Sequence, residues 1–199
     1  LHIFEPRYRS MVADALNGKG EIGMTLLKPG WESDYQGTPE IMTIGCLGKI
    51  KHHSELPEGK YNILLSGLYR FRILNEIKGK VYRQAQVEFL KEINDKDLTS
   101  EPSPTKEKLT RVMRLYLKNL PDRTKIEQAL DMENCCKLAE FVDKLTHHFD
   151  LPVNKMQEFL EQQDVQKRAD SLHSLIEFKN QLIQISKNMK DKEIDFSMN

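Results

Sequence analysis

The hydrophobic pattern of this chain changes its period near residue 95, and that change limits the folds available to it. From residue 21 to 90 the apolar residues alternate or form short runs broken by glycine and proline, which is typical of β-strands. Beyond the polar, proline-containing segment 94–105, they recur every three or four residues, as in amphipathic helices. The sequence therefore predicts an α+β protein with a β domain over residues 1–95 and an all-α helical bundle over residues 105–199.

The β half contains several short strands at close spacing, which indicates a barrel or a tightly curled sheet. Glycine and proline mark the turns between these strands. We expect Ser66-Gly67 to divide the third run into two strands. The predicted strand runs are 21–27, 41–53, 60–77 and 81–90.

The chain opens with the end of a strand, Leu1–Phe4, that leads directly into a short helix. Pro6 suits the first helical turn, and Gly18 provides a stop. Between them one apolar stripe recurs with helical spacing, formed by Tyr8, Met11, Val12, Ala15 and Leu16. Because this strand is so short, we expect the first strand of the β domain to lie outside the given residues.

The helical half ends in one long helix. It is predicted to begin near Asp164 and to run for about 25 residues, or roughly 37 Å. Its apolar residues follow a seam close to heptad spacing. The seam consists of Val165, Ala169, Leu172, Leu175, Ile176, Leu182 and Ile183.

Composition excludes several functional classes. The chain of 199 residues carries 30 basic and 30 acidic residues, so no net field attracts nucleic acid or an anionic membrane. No apolar run reaches the roughly 18–20 residues of a membrane span. Two of the three cysteines are adjacent, which does not suit a disulfide framework. We therefore expect a cytoplasmic protein.

Sequence motifs for catalysis are missing. The chain has no GxxxxGK[ST], GxGxxG or GxSxG motif, and Ser66 is interpreted as a turn residue. The pairs His52-His53, His147-His148 and Cys135-Cys136 are adjacent, whereas metal ligands usually stand two to four residues apart. The sequence therefore predicts no catalytic residues, no metal and no cofactor.

Two aromatic residues are candidates for binding a partner. Trp31 and Tyr35 lie in a loop rich in turn residues, where they could act as binding anchors or fold back to plug the end of a barrel. Arg70, Arg72 and Arg83 alternate with aromatic residues, as in sheets that bind nucleic acid, but the neutral net charge favours an ordinary solvated face.

Several stretches resemble the N-terminal domain of the ATP-dependent Lon protease family. They are "LHIFEPRYRSMV", "IGMTLLKPGWE", "GCLGKIKHHSELPEGKYNILLSGLYRFRI" and "YRQAQVEFL", and in the helical half "LPVNKMQEFLEQQDVQKRADSLHSLI". The resemblance implies a PUA-like β barrel followed by a helical bundle, and in this family an apolar strand precedes "LHIFEPRY". Its members include small bacterial proteins made of this domain alone, and the ending "IDFSMN" favours that form over a fragment of the protease.

The same resemblance implies a non-catalytic protein-recognition module. Its expected partners are unfolded or damaged protein substrates and an ATP-dependent protease, with no membrane and with nucleic acid disfavoured. Binding is expected along the barrel rim or in a groove between barrel and bundle. The family's ATPase motifs and serine-lysine protease domain have no counterpart in these residues. The alternative is RNA binding, because PUA-like barrels also occur in RNA-modifying proteins.

Overall fold

A computed structural model describes residues 1–35, 37–99, 103–119, 135–147, 149 and 151–196, without the side chains of 188 and 190–196. The sequence "LPD" at residues 120–122, which predicts the end of a helix, and His148 lie outside the described residues. The chain divides into two units, Leu1–Lys91 and Glu92–Asn199. The predicted domain limits, 1–95 and 105–199, stay a prediction.

The first unit is built on one antiparallel sheet of five strands. The sheet order is β1-β4-β3-β2, and β5 also pairs with β4. The turn between β3 and β4 is a short 3₁₀ turn at Pro57–Gly59, where the sequence predicts one. The strands are β1 His2–Ile3, β2 Glu21–Leu27, β3 Ile41–Leu56, β4 Lys60–Ile77 and β5 Gln84–Phe89.

Helix α1, Pro6–Asn17, packs against this sheet. Its apolar stripe places Val12 in a buried cluster with Ile22 of β2 and Ile63 of β4. The helix ends at the predicted Asn17-Gly18 stop, where the amide of Gly18 donates to the carbonyl of Ala15, but Gly18 has a φ of −112° and is not left-handed. The helix therefore covers the centre of one sheet face.

Strand β4 is continuous through Ser66-Gly67, so the predicted division into two strands is wrong. Leu47 pairs with Tyr69 and Gly48 pairs with Gly67, which leaves Leu68 as an extra residue in β4. This β-bulge absorbs the irregularity without ending the strand. The serine-glycine pair therefore marks a bulge and not a turn.

Val81 also departs from the sequence-based expectation. It was predicted to start the last strand, but β5 begins at Gln84. Residues 78–83 form the connection after β4, and Val81 in this connection is 71% exposed. An apolar side chain therefore stands on the surface of the first unit.

The second unit consists of helices around a large apolar core. Pro104, predicted to lie in the polar segment 94–105, is the first residue of α2, and Pro152 is the cap before α4. The described helices are α2 Pro104–Lys118, α3 Leu138–His147, α4 Val153–Glu161 and α5 Val165–Phe196. Helix α5 has 32 residues, longer than the predicted 25, and spans about 48 Å.

The predicted heptad seam of α5 combines two different faces of the helix. Val165 and Ile176 are fully buried, together with Ala169 and Leu172 between them. Leu182, assigned to the same seam, is 48% exposed. The sequence did not distinguish the two faces, because a spacing of three or four residues can drift around a long helix.

The first part of the predicted linker 94–105 is bonded to the second unit. Ile93 exchanges backbone hydrogen bonds of 2.9 Å with Gln163 and Val165, on either side of the start of α5. Leu98 donates to the carbonyl of Cys136 at 2.9 Å. Residues 93–98 therefore form part of the helical unit and are not a free connection.

Candidate functional site

The first unit contains a groove of about 690 Å³ on its sheet. We name this the β-unit groove. Its walls come from the stretch Leu1–Met11, from β2, from the segment 37–41, from Ile63 and Leu65 of β4, and from the connection 76–83. The groove is therefore bordered by the edge strand β2, by the start of the chain and by the segments 37–41 and 76–83.

Large apolar side chains in this groove are open to solvent. Five of the lining residues are between 45% and 71% exposed: Leu1, Phe4, Met24, Ile77 and Val81. Clustered exposed apolar surface of this kind marks binding sites, whereas single exposed apolar residues are common on any protein. The groove is therefore the candidate functional site of the first unit.

Strand β2 forms an open sheet edge along the groove. Among the described residues β2 pairs only with β3. The amide of Ile50 donates to the carbonyl of Gly20, which fixes the alternation of the ladder. It follows that the backbone groups of Gly23 and Thr25 point away from β3. The groove thus offers unpaired hydrogen-bonding groups beside its apolar surface.

A polar cluster borders one side of the groove. Glu5 accepts a hydrogen bond of 2.6 Å from the Tyr35 hydroxyl and one of 3.0 Å from Nε of Arg7. The Arg7 guanidinium also lies over the rings of Tyr8 and Tyr35, at 4.8 and 5.5 Å from their centroids. Donation to the Glu5 carboxylate raises the pKa of Tyr35 above its ordinary value.

A second polar cluster borders the connection after β4. Asp14 of α1 accepts hydrogen bonds from the Tyr82 hydroxyl at 2.7 Å and from Nζ of Lys80 at 3.0 Å, and these lower the pKa of Asp14. Arg83 pairs with Glu76 and donates to the carbonyl of Pro39 at 2.7 Å. These rim charges are paired with one another, so apolar side chains dominate what the groove offers to a ligand.

The two predicted binding residues lie in contact with each other. Trp31 is in a 3₁₀ turn, Trp31–Asp34, and its ring centroid is 5.5 Å from that of Tyr35 at an interplanar angle of 60°. Tyr35 lines the β-unit groove, whereas Trp31 is not among the lining residues. Their role as partner-binding residues stays a prediction. The exposed lining residues Phe4, Met24 and Val81 were missed, because their exposure depends on which neighbours the fold provides.

Two of the three arginines considered for nucleic acid, Arg72 and Arg83, form ion pairs. Arg72 of β4 contacts Glu88 of β5 at 3.0 Å, and Nε of Arg83 contacts Glu76 at 3.0 Å. The Arg72–Glu88 pair joins neighbouring strands, where opposite charges stabilise a sheet, whereas Arg83 pairs with Glu76 from the connection after β4. The positive charge available to a phosphate backbone is reduced accordingly.

The histidine and cysteine pairs do not converge. His52 and His53 are both exposed on β3, and Cys46, Cys135 and Cys136 are free thiols. Within the described ranges no three His, Cys, Asp or Glu side chains are grouped so that they could hold a metal ion. The same ranges contain no helix with the length and hydrophobicity needed to cross a membrane.

Comparison with known proteins identifies the family. A family model described as the ATP-dependent protease La (LON) substrate-binding domain matches residues 1–177. The chain belongs to this family. Its members with similar sequences include Lon protease 1 of Bacillus subtilis, 25% identical over 160 residues, and the Lon protease of Dictyoglomus thermophilum, 26% identical over 184 residues. These matches confirm the resemblance noted in the sequence.

The alignments with these Lon proteases cover most of this chain but only a small part of each relative. The match covers 77% of this chain and 20% of the Bacillus protein, and 92% and 22% for the Dictyoglomus protein. The chain thus spans about a fifth of the length of the curated relatives it matches. The detected similarity is confined to the substrate-binding domain of the LON family.

Two solved structures share the fold. The Lon N-terminal domain protein from Xanthomonas campestris aligns with a TM-score of 0.59 at 19% identity, over 87% of this chain and 86% of that one. The N-terminal domain of Mycobacterium avium complex Lon protease aligns with a TM-score of 0.63 at 16% identity, over 89% of each. The predicted α+β class is therefore confirmed.

Proposed function

We propose that this chain is a non-catalytic recognition module that binds unfolded or exposed polypeptide segments in the β-unit groove. The observation that carries the proposal is the groove itself, in which exposed apolar side chains lie beside the unpaired edge of β2. The family supports it, since its description names a substrate-binding domain.

Apolar burial supplies the driving force for this binding. A segment that covers Phe4, Met24 and Val81 removes apolar surface from water, at roughly 25 cal/mol for each Å². Folded proteins keep most of their large apolar side chains inside, whereas unfolded segments expose them. The groove therefore favours unfolded over folded partners without requiring a particular sequence.

Backbone pairing adds the second contribution. An extended segment laid along β2 exchanges hydrogen bonds with the outward groups of Gly23 and Thr25 and lengthens the sheet by one strand. Because side chains alternate along a strand, every second residue of the segment then faces the groove. Recognition of this kind requires an extended backbone and tolerates many side chains.

We further propose that the bound segment is passed to an ATP-dependent protease in the bacterial cytosol. The curated relatives are full-length Lon proteases of which this chain matches about a fifth. The free thiols of Cys46, Cys135 and Cys136 suit a reducing compartment. No bond-breaking step is assigned to the residues of this chain.

The test is a titration with a dye-labelled, reduced and carboxymethylated polypeptide that cannot refold, followed by fluorescence anisotropy. The double substitution Met24→Lys with Val81→Lys places two charges in the groove and is expected to weaken binding at least about tenfold. The matched control is Leu64→Lys with Leu74→Lys, because these residues are 59% and 53% exposed but do not line the groove.

The control is expected to bind like the unchanged protein. No association of the unchanged protein at about 100 μM, or equal losses in the two double variants, would show the proposal to be wrong. The role of the β2 edge is tested with a ten-residue apolar peptide and a copy N-methylated at alternate residues. Equal affinity for both peptides excludes backbone pairing.

A further inference from the structure

The charged side chains that line the β-unit groove are unevenly divided between the two signs. Among the described lining residues four are cations and two are carboxylates. Both carboxylates are already bonded within the chain. Glu5 accepts from Tyr35 and Arg7, and Glu76 accepts from Arg83. The groove therefore offers a bound segment more positive than negative charge, although the whole chain is neutral. The four cations are Arg7, Lys78, Lys80 and Arg83.

Two of these cations hold the connection after β4 in place. Nζ of Lys80 donates to Asp14 at 3.0 Å, and the Tyr82 hydroxyl donates to the same carboxylate at 2.7 Å. Nε of Arg83 donates to Glu76 at 3.0 Å. The charges of Lys80 and Arg83 are thus balanced by carboxylates of the first unit, and the connection is tied to α1 and to the end of β4.

Lys78 lies in the same connection, and its charge is not balanced. It is exposed and has no hydrogen-bond or ion-pair partner among the described residues. Ile77 and Val81, on either side of it in sequence, line the groove and are 51% and 71% exposed. A segment that covers these two apolar side chains passes within reach of the Lys78 ammonium, because a lysine side chain is long and flexible.

Arg7 adds a guanidinium that is held in a fixed position. Its Nε donates to Glu5, and its plane lies over the rings of Tyr8 and Tyr35. The guanidinium is also hydrogen-bonded to the Tyr35 side chain. These contacts use only some of its five N–H donors, so others remain for a ligand. An arginine restrained in this way loses little freedom when it binds a carboxylate.

Carboxylates just outside the lining are bonded within the first unit as well. Glu40 pairs with Lys28 at 2.8 Å. Asp34 accepts a hydrogen bond of 3.2 Å from the amide of Thr38. Such bonds reduce the repulsion that these groups exert on a further carboxylate entering the groove.

We propose, as an extension that rests on the proposed function, that the β-unit groove selects polypeptide segments carrying a carboxylate beside their apolar residues. Lys78 is the specificity-determining residue, and Arg7 is a second donor to the carboxylate. Charges at the edge of a binding site act mainly on the choice of partner, whereas apolar burial supplies most of the affinity. An exposed ion pair contributes little, so the preference is a few-fold one.

Fluorescence anisotropy with four dye-labelled peptides tests this selection. All contain the same ten-residue apolar sequence. Three have blocked termini and carry two aspartates, two lysines or two asparagines at each end, and the fourth has asparagines and a free C-terminal carboxylate. The aspartate peptide is expected to bind about three- to tenfold more tightly than the lysine peptide, and this difference should shrink as salt rises from about 0.05 to 0.5 M.

A preference for the aspartate peptide assigns the site to acidic side chains, and one that appears only with the fourth peptide assigns it to chain ends. Lys78→Glu is expected to abolish or invert the preference. Lys51→Glu is the matched control, because it makes the same charge change at an exposed position of β3 outside the lining. Arg7→Gln is expected to reduce the preference in part.

Equal affinity for all four peptides overturns this inference and leaves the proposed function standing. So does a preference that survives Lys78→Glu, or one that changes equally in Lys78→Glu and Lys51→Glu. Failure of every peptide to bind overturns the proposed function, and this inference with it.

Discussion

The ring of Phe71 occupies the space that a side chain at Gly45 would need. The two residues are cross-strand partners in β3 and β4. A Cβ atom added at Gly45 would lie 2.6 Å from Cζ of Phe71 and 2.5 Å from the carbonyl oxygen of Met24. Phe71 is buried, and its ring lies close to both Gly45 of β3 and Gly23 of β2.

Gly45→Ala is expected to destabilise the first unit by about 1–3 kcal/mol, because backbone and a buried ring must move to admit the methyl group. The chain has a single tryptophan, Trp31, which lies in this unit. Its fluorescence during urea unfolding therefore reports this unit alone. Gly67→Ala is the control, since its nearest neighbour would be Sγ of Cys46 at 3.4 Å. Equal unfolding midpoints for the two variants would contradict the packing described.

Arg168 is expected to be essential for the stability of the second unit. The residue is 0% exposed, and its Nη1 donates to Glu92 at 2.9 Å and to the carbonyl of Gln162 at 2.8 Å. Its Nε lies 3.3 Å from Asp143. Arg168→Ala leaves a cavity and two carboxylates without their cation, and is expected to cost about 3–5 kcal/mol.

Urea unfolding followed by circular dichroism at 222 nm measures this loss. Arg168→Met is expected to cost less than Arg168→Ala, since it fills the space and Nη2 of Arg168 has no hydrogen-bond partner among the described residues. Arg111→Ala, at an exposed position on α2, serves as the control. A loss at Arg168 no larger than at Arg111 would refute the prediction.

Asp164 is expected to make the stability of α5 depend on pH. Its Oδ1 accepts from the amides of Gln166 and Lys167 at 3.0 and 3.2 Å. The hydrogen bond from the Lys167 amide, together with those from Asn94 and the Gln166 amide, lowers the pKa of Asp164 in the folded state. The stabilisation is therefore fully present above the unfolded pKa of about 3.9 and is lost as pH falls through the lower folded value.

Asp164→Ala should therefore lower the melting temperature at pH 7, and the difference from the unchanged protein should shrink as pH falls below about 4. Asp164→Asn keeps a capping oxygen that does not titrate, so its melting temperature should respond less to acid. A constant difference between the alanine variant and the unchanged protein from pH 7 to pH 3 is the result that would rule out this role.

Trp31 and Tyr35 are expected to contribute unequally to polypeptide binding. Tyr35 lines the β-unit groove, whereas Trp31 acts on the groove through the contact between its ring and that of Tyr35. In the anisotropy titration, Tyr35→Ala should weaken binding several-fold and Trp31→Ala should weaken it less. Tyr35→Phe keeps the ring but removes the hydrogen bond to Glu5, which separates the two contributions. A larger loss for Trp31→Ala would reverse the assignment.

Local signals in the sequence predicted most element boundaries. Strand β2 was predicted at the residues where it lies, and α1 was predicted from Pro6 to the Asn17-Gly18 stop. Proline, glycine and apolar period act over a few residues, so they can be interpreted without the fold. Because such signals are local, they misplaced a strand end at Ser66-Gly67. There the backbone of β4 stays hydrogen-bonded to β3, so the strand continues.

The groove was beyond the reach of such signals. Phe4 and Met24 look like ordinary core residues in the sequence, and only the arrangement of the strands leaves them exposed. In α5 the apolar period was recognised, but Ile176 and Leu182 were assigned to one seam although they lie on different faces. The apolar period shows which residues share one face of a helix, whereas tertiary contacts decide what that face packs against.

The bonding of residues 92–98 to the helical unit determines where the chain can be cut for separate study. A fragment that starts at residue 105 would lack Glu92, the acceptor for Arg168, and Ile93, which bonds to the start of α5. Such a fragment is expected to form a less stable helical bundle, because it lacks these contacts. Expression of the helical half should begin at or before Glu92.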